Sequence, residues 1–262
     1  MSRIRLDTAL AERGLFPSRS AAAASVRAGA VRVGTDGPIA VKPGQMVGDE
    51  DELIVQRPQR YVSRGGLKLE NAIDTLGIAI VGRSCLDVGA STGGFSDCLL
   101  QHGARRVAAL DVGYGLLAAS LRSDPRVTAL ERRNARDLSP DELPFAPDLA
   151  VVDVAFISLR KVLPAVARCL APGGEVLALV KPQFELGRGR IGKGGVVRSA
   201  EDRREAIVAV GEAAASELGL PIRGLASSGL PGPKGNRETF IWCGGRDREA
   251  GDLAAAVLEV EP

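Results

Sequence analysis

Residues 85–96, with the sequence CLDVGASTGGFS, decide the fold of this chain. An apolar run, Cys85–Val88, leads into a glycine-rich turn, and the residues from Gly94 onward read as the start of a helix. Glycines let a backbone turn sharply and approach a ligand closely, and a helix N-terminus presents unpaired N–H groups. The pattern is typical of the strand, loop and helix that open a nucleotide-binding α/β domain. The alternative is a strand–helix turn that binds no ligand.

Apolar runs alternate with helical stretches on both sides of this loop, from about residue 67 onward. Such alternation predicts a doubly wound, mostly parallel sheet, here of seven strands. The last two strands have no helix between them, which predicts an antiparallel hairpin at one edge. The predicted strands are 84–88, 107–112, 127–130, 149–154, 176–180, 222–226 and 239–243, with helices near 94–102, 115–122, 160–170 and 200–218.

The first 58 residues have a different, small α+β pattern. Leu6, Ala9 and Leu10 recur at helical spacing up to Gly14, and Ser18 is a candidate N-cap for a helix over 19–28. Short apolar runs at 31–33 and 53–55 read as strands. We therefore divide the chain into a small domain at 1–58, a linker at 59–66 and a larger domain at 67–262.

Charge is concentrated in two places, although the whole chain carries a net charge of only +2. Residues 1–48 hold seven basic side chains against three acidic ones, and residues 181–198 hold five against one. Each segment therefore has a local charge of +4, which favours a polyanion partner. The alternative is an ordinary solvated surface.

Composition bounds the remaining possibilities. The cysteines Cys85, Cys98, Cys169 and Cys243 form no Cys-x-x-Cys pair and lie in apolar runs, so we expect reduced, buried thiols. With His102 as the single histidine, the sequence predicts no metal site. No apolar stretch reaches the roughly 20 residues of a membrane span, and the N-terminus has no apolar leader. We expect a cytoplasmic protein without a membrane segment, and a monomer.

Two carboxylates indicate the class of cofactor. Asp111 ends the next predicted strand, about 20 residues after the loop, where a carboxylate accepts hydrogen bonds from ribose hydroxyls. Asp87 precedes the first glycine, where a negative charge suits a cationic amino acid and repels a pyrophosphate. S-adenosylmethionine is therefore favoured over NAD. Asn134 and Asp137 follow the third strand, where an adenine edge could be read, although both residue types also form ordinary turns.

Four polar residues, Lys68, Asp153, Lys181 and Glu238, complete the candidate site. The last three lie beside predicted strand ends, where an open parallel sheet places its active site. Two amines and two carboxylates without a neighbouring histidine indicate transfer of a group to a weak oxygen nucleophile, with a lysine as base. Lys181 is the candidate base, Asp153 its orienting partner and Lys68 a substrate contact. Lys68 could instead be a plain helix-start lysine, and Glu238 a solvated edge carboxylate.

The N-terminal segment resembles an S4 RNA-binding domain. The resemblance rests on Arg5-Leu6-Asp7, Gly14-Leu15, Ser18-Arg19, Gly29 and Val41-Lys42-Pro43-Gly44. It implies that arginines on a small surface contact phosphates and place RNA without reading its sequence. A glycine-rich loop at 187–195 could add phosphate contacts or be simple surface. The candidate RNA contacts are Arg3, Arg5, Arg19, Arg27, Lys42, Arg64, Arg188, Arg190 and Lys193.

The remainder resembles the TlyA family of rRNA cytidine-2′-O-methyltransferases, often labelled hemolysin A. The matching segments are YVSRGGLKL at 61–69, the loop at 87–95, DVGYG at 111–115, DVAFISL at 153–159, VKPQFE at 180–185 and LPGPKGNRE at 230–238. The resemblance implies a Rossmann-like class I methyltransferase domain of the FtsJ type, acting on ribosomal RNA within ribosomal subunits. Its Lys-Asp-Lys-Glu tetrad falls on Lys68, Asp153, Lys181 and Glu238. The implied S-adenosylmethionine contacts are Asp87, Gly89, Ala90, Ser91, Gly93, Gly94, Phe95, Asp111, Val112, Asn134, Ala135, Asp153 and Phe156.

Three other functions remain possible at this stage. A membrane-lytic protein would fit the hemolysin label, but the sequence contains no spanning segment or leader. A non-catalytic RNA-binding or ribosome-assembly factor would not require the tetrad and the loop. A nicotinamide oxidoreductase would require a phosphate-binding loop and a proton-relaying histidine or tyrosine.

Overall fold

The computed structural model describes residues 3–27, 29–35, 37–55, 60–192, 194–232, 234–245 and 252–261, without the side chain of Arg188. The chain divides into two compact units, Met1–Arg60 and Tyr61–Pro262. Each unit has its own hydrophobic core.

The first unit combines two short helices with two small sheets. β1 pairs antiparallel with β3, and β2 pairs antiparallel with β4. Leu6, Leu10, Val26 and Val31 have no exposed surface and form the centre of its core. β1 and β3 were not predicted, because they are less apolar than the predicted β2 and β4: β1 has one apolar residue between two arginines, and β3 ends in a glycine. The elements are β1 (Arg3–Arg5), α1 (Leu6–Glu12), α2 (Arg19–Arg27), β2 (Val31–Val33), β3 (Met46–Gly48) and β4 (Leu53–Val55).

The second unit begins with a helix that the sequence pattern did not delimit, and then alternates strands and helices as predicted. Its elements are α3 (Gly65–Leu76), β5 (Ser84–Val88), α4 (Gly94–Gln101), β6 (Arg106–Asp111), α5 (Ala119–Arg122), β7 (Val127–Glu131), β8 (Leu149–Val152), α6 (Leu163–Cys169), β9 (Glu175–Val180), α7 (Pro182–Glu185), α8 (Ala200–Glu212), β10 (Ile222–Ser227), β11 (Thr239–Gly244) and α9 (Leu253–Val260). Short 3-10 turns lie at Pro140–Glu142, Leu159–Lys161 and Arg188–Arg190, and a π turn at Ala213–Glu217 continues α8.

Seven strands form one sheet in the order β10-β11-β9-β8-β5-β6-β7. The strands from β5 to β9 pair in parallel, and β11 pairs antiparallel with both β9 and β10. The predicted edge hairpin is therefore confirmed. The strand order reverses at β5, whose neighbours are β6 on one side and β8 on the other.

Both faces of this sheet are covered, as expected for a parallel sheet. Successive residues of the central strand enter different clusters, with Cys85 in one core and Leu86 in the other. The four cysteines are buried and unbridged, as predicted.

One helix prediction needs correction, and one further helix was not predicted. The helix predicted near 115–122 exists only as α5, because Gly115 has a positive φ of 70° and its N–H donates to the Glu131 side chain. α9 follows the last strand and was not predicted.

Candidate active site

The residues predicted from strand ends lie at one edge of the large sheet. Gly89 follows β5, Asp111 ends β6, Asp153 follows β8 and Lys181 follows β9. These positions are the carboxyl ends of parallel strands beside the reversal at β5, where open α/β sheets bind ligands. Glu238 precedes β11, and because β11 runs the opposite way, its beginning lies at the same edge.

The strand register brings Glu238 towards Lys181. Thr239 of β11 pairs with Val180 of β9 in an antiparallel ladder. The next position on each strand is Glu238 and Lys181, so both flank the same end of the ladder.

Two ion pairs connect the four predicted catalytic residues. Lys68 Nζ donates to Glu238 Oε2 at 2.5 Å, and the two residues are 9% and 2% exposed. Lys181 Nζ lies 2.5 Å from Asp153 Oδ1. Lys68 and Glu238 are buried, so loss of either partner would leave an uncompensated buried charge, whereas Lys181 and Asp153 are half-buried. All four residues line one cavity of about 300 Å³.

The glycine-rich loop lines the same cavity, with Gly89, Ala90, Ser91, Thr92 and Gly94. Gly89 has a φ of 84°, and a Cβ there would overlap the carbonyl oxygen of Asp153, so only glycine fits. Ser91 has a φ of 50°, a conformation that is costly for a residue with a side chain and that concentrates at ligand-binding turns.

A second cavity of about 290 Å³ adjoins the first through Gly89, Ser91 and Asp153. Asp111 lies in its wall, and its two oxygens accept from the backbone N–H groups of Ser91 at 2.8 Å and Gly113 at 2.7 Å. Each carboxylate oxygen keeps a further acceptor site for a ligand hydroxyl. The predicted cofactor residues in this wall are Gly89, Ser91, Asp111, Val112, Asn134, Ala135, Asp153 and Phe156.

Asp87 and Gly93 are the two predicted cofactor residues that line neither cavity. Asp87 is fully buried, and its Oδ2 accepts from Ser96 N at 2.8 Å and Ser96 Oγ at 2.7 Å. Its Oδ1 has no hydrogen-bond partner among the described residues. The carboxylate therefore links β5 to the beginning of α4 through its hydrogen bonds with Ser96. Burial raises the pKa of Asp87 to about 7.

This burial predicts a pH-dependent stability. The unfolded-state pKa of Asp87 is near 3.8, so between about pH 4 and 7 the folded state holds a proton that the unfolded state has lost. The contribution of Asp87 to the free energy of unfolding is present below this window and is lost as the pH rises through it. The free energy of unfolding of the wild type, taken relative to that of Asp87→Asn, should therefore fall by roughly 4 kcal/mol at most across this pH window.

Urea unfolding of both proteins across this pH range measures the difference. Trp242 is the only tryptophan and lies in the core of the second unit, so its fluorescence reports that unit. A difference that does not change with pH would contradict the prediction.

A third cavity of about 460 Å³ shares Lys181 and Glu238 with the tetrad cavity. Phe156 and Phe184 line it, with ring centroids 5.3 Å apart, and Phe156 is 92% exposed with a φ of 65°. Gln183 also lines this cavity, and its Oε1 is buried without a hydrogen-bond partner in the described part of the chain. The aromatic walls and the unsatisfied amide suit a planar ring with polar edges.

Glu185 is a site residue that the sequence reasoning missed. It is 8% exposed and accepts from Ser158 Oγ at 2.6 Å and Leu159 N at 2.7 Å. It thereby ties α7, which follows Lys181, to the loop that follows Asp153. The sequence feature that could have identified Glu185 is its place in VKPQFE, four residues after the candidate base.

Loss of this tie should lower activity without loss of the fold. Glu185→Ala is expected to reduce turnover about tenfold or more, because small displacements of catalytic groups are costly. Glu185→Gln keeps an acceptor for Leu159 N and should stay near wild type. Turnover at saturating substrate concentrations measures both. Equal activities of Glu185→Ala and wild type would contradict the positioning role.

The predicted RNA contacts have different surroundings. Arg3, Arg5, Arg19, Arg27 and Lys42 are all exposed on the first unit. Arg64 lines the tetrad cavity. Arg190 is ion-paired with Asp202 and Glu205 of α8, so a phosphate would have to replace acidic partners. Lys193 and the side chain of Arg188 lie outside the described residues.

Two other kinds of feature are absent from the described residues. Within the described ranges, no group of three or more His, Cys, Asp or Glu side chains is placed to hold a metal ion. None of the helices described is both long and apolar enough to cross a membrane.

Models of known protein families match both units of the chain. A family model described as FtsJ-like methyltransferase matches residues 61–246, and one described as S4 domain matches residues 4–53. The sheet with its reversed β11 and the cleft at its carboxyl edge are thus those of an FtsJ-like methyltransferase, preceded by an S4 domain.

Relatives that match over most of the chain identify a particular family within this class. The chain is 49% identical over 242 residues to the 16S/23S rRNA (cytidine-2′-O)-methyltransferase TlyA of Mycobacterium tuberculosis, covering 92% of this chain and 89% of that protein. It is 39% identical over 239 residues to Hemolysin A of Brachyspira hyodysenteriae, covering 90% and 97%. A solved hemolysin-like protein from Streptococcus thermophilus has a TM-score of 0.74 at 40% identity, covering 99% and 94%. The chain belongs to the TlyA family.

Proposed function

We propose that this protein transfers a methyl group from S-adenosylmethionine to the 2′-OH of a cytidine in ribosomal RNA. The single observation that carries the proposal is the convergence of Lys68, Asp153, Lys181 and Glu238 on one cavity beside the glycine-rich loop. The substrate class follows from the family, since the Mycobacterium tuberculosis relative carries that activity in its name.

The two adjoining cavities fit S-adenosylmethionine. The cavity with Asp111, Val112 and Ala135 offers a carboxylate for ribose hydroxyls and apolar walls for adenine. The loop residues Gly89, Ser91 and Gly94 line the cavity that holds the tetrad, and the methionine part would lie against them. The residues shared by both cavities, including Asp153, would flank the sulfonium. Asp87 lines neither cavity, so it would contribute indirectly, by stabilising the loop through its hydrogen bonds with Ser96.

The chemistry requires a proton acceptor beside the sugar. When bound, S-adenosylmethionine supplies an electrophilic methyl group: the ribose oxygen bonds to the methyl carbon as the carbon–sulfur bond breaks, leaving a neutral thioether. Lys181, as a neutral amine, would accept the hydroxyl proton. Asp153 orients the Lys181 amine through the 2.5 Å contact. Glu238 holds Lys68, which would contact the ribose or a neighbouring phosphate.

The third cavity would receive the cytidine. It meets the tetrad cavity at Lys181 and Glu238, so a base within it leaves the ribose near the candidate base. Proteins read single, splayed nucleotides in RNA mainly by stacking and by hydrogen bonds to base edges. The first unit would hold adjacent RNA by its phosphates. On this proposal the chain comprises an RNA-binding domain at 1–58 and a catalytic domain at 67–262, joined by 59–66.

The test uses purified protein, methyl-labelled S-adenosylmethionine and ribosomal subunits from cells that lack this enzyme. We expect label on a cytidine ribose, seen as an alkali-resistant linkage in the RNA. Label on a base would overturn the 2′-O assignment. Absence of S-adenosylmethionine binding in calorimetry, with RNA binding retained, would favour the non-catalytic assembly factor.

A further inference from the structure

Asp7 is a buried acid in the middle of the basic surface of the first unit. It is 2% exposed, whereas Arg5 and Arg19 beside it are exposed. Arg5 Nε and Nη2 donate to Asp7 Oδ1 and Oδ2 at 3.0 and 2.8 Å. Arg19 Nε lies 3.3 Å from Asp7 Oδ2. One carboxylate therefore holds two guanidinium groups, one from β1 and one from α2.

The backbone around Asp7 joins a third basic residue to the same surface. Asp7 N donates to Pro43 O at 2.9 Å, so the turn that carries Lys42 packs against the beginning of α1. Gly44 of this turn leaves space for Arg5, because a Cβ there would lie 2.9 Å from Arg5 Nη1. The turn and the carboxylate together restrict the Arg5 side chain to one orientation.

This arrangement orders the arginine side chains before an anion binds and leaves them N–H groups for it. A bidentate contact uses two of the five N–H groups of Arg5 and leaves three for phosphate oxygens. An arginine that is already held loses less rotamer freedom on binding than a mobile one. Hydrogen bonding by Arg5 also holds the pKa of Asp7 well below its usual range, so the carboxylate remains charged at neutral pH.

We infer that Asp7 is a positioning residue for RNA, which fixes the Arg5 and Arg19 guanidinium groups for contact with backbone phosphates. The inference rests on the proposed RNA-binding role of the first unit. The inference predicts that removal of Asp7 weakens RNA binding. Net charge alone would predict the reverse, because removal of an acid beside two arginines should strengthen binding to a polyanion.

The test is the RNA affinity of the full chain, measured by anisotropy with a fluorescein-labelled RNA hairpin at fixed salt. Asp7→Ala is expected to weaken binding about tenfold, the effect of releasing two ordered side chains. The matched control is Glu12→Ala, which removes an exposed acid of the same unit and should leave affinity unchanged or slightly higher. Affinity of Asp7→Ala equal to or above wild type would overturn the inference.

A double-mutant cycle separates positioning from a general structural role. In an Arg5→Ala/Arg19→Ala background, Asp7→Ala should have no further effect on affinity, because Asp7 acts through those arginines. A further loss in that background would overturn the inference. Failure of the wild-type chain to bind the hairpin would instead contradict the proposed RNA-binding role, so the two failures can be told apart.

Discussion

Replacing Lys181 with alanine should reduce methyl transfer by about 100-fold or more, the range measured when a general base is removed. The side chain lines the tetrad cavity and is absent from the wall of the cavity proposed for adenosine. Binding of S-adenosylmethionine should therefore be largely retained. Single-turnover methylation of ribosomal subunits and calorimetry with the donor measure the two effects separately.

Two further variants define what Lys181 contributes. Lys181→Arg keeps a positive charge beside Asp153, but a guanidinium does not give up its proton, so this variant should also be inactive. Lys161→Ala removes an exposed lysine of the same unit and should be as active as wild type. An active Lys181→Arg enzyme would show that the residue acts by charge alone, and an active Lys181→Ala enzyme would exclude it as the base.

Breaking the Lys68–Glu238 pair should cost stability as well as activity. Glu238→Gln leaves the Lys68 ammonium buried without its carboxylate, and loss of one partner of a buried pair costs about 3–5 kcal/mol. Lys68→Met leaves Glu238 unpaired with a similar effect. The double variant Lys68→Met/Glu238→Gln buries no charge, so its free energy of unfolding should return close to that of wild type while methyl transfer remains lost.

Urea unfolding followed through Trp242 fluorescence tests this pattern, with turnover measured on the same preparations. The control is Arg126→Met, which breaks the exposed pair with Asp124 and should cost at most about 1 kcal/mol. Recovery of activity in the stable double variant would show that the pair serves the fold only. Additive destabilisation in the double variant would show that the two charges do not compensate each other.

Much of the large domain was predictable because its signals are local. Buried strands such as Leu149–Val152 are continuous apolar runs, and Gly89 and Gly93 of the loop have positive φ angles that favour glycine. The positions of Asp111, Asp153 and Lys181 at strand ends follow from that pattern alone. The strands β1 and β3 and the helix α9 were missed. β1 and β3 are not apolar runs like β2 and β4, and α9 is almost uniformly apolar, so it shows no alternation of apolar and polar faces.

The roles of individual acids were less predictable. Asp87 was expected to face the cofactor, and that contact stays a prediction, but the structure places its carboxylate in the core against Ser96. Glu185 and Asp7 stand within the quoted motifs VKPQFE and Arg5-Leu6-Asp7, but neither was given a role, because a motif does not show which group a carboxylate contacts. Only the contacts with Ser158 and with Arg5 distinguish them from surface acids.

The sequence by itself determined the alternation of strands and helices in the large sheet, the glycine-rich cofactor loop and the identity of the four polar residues, because each of these signals depends on residues close together along the chain. The tertiary structure alone decided which amine meets which acid. Lys68 and Glu238 are 170 residues apart, and they meet only because the reversed strand β11 begins at the carboxyl edge of the sheet, where α3 also presents its lysine. Pairing across such a distance depends on strand direction and register, which arise from the packing of the whole sheet.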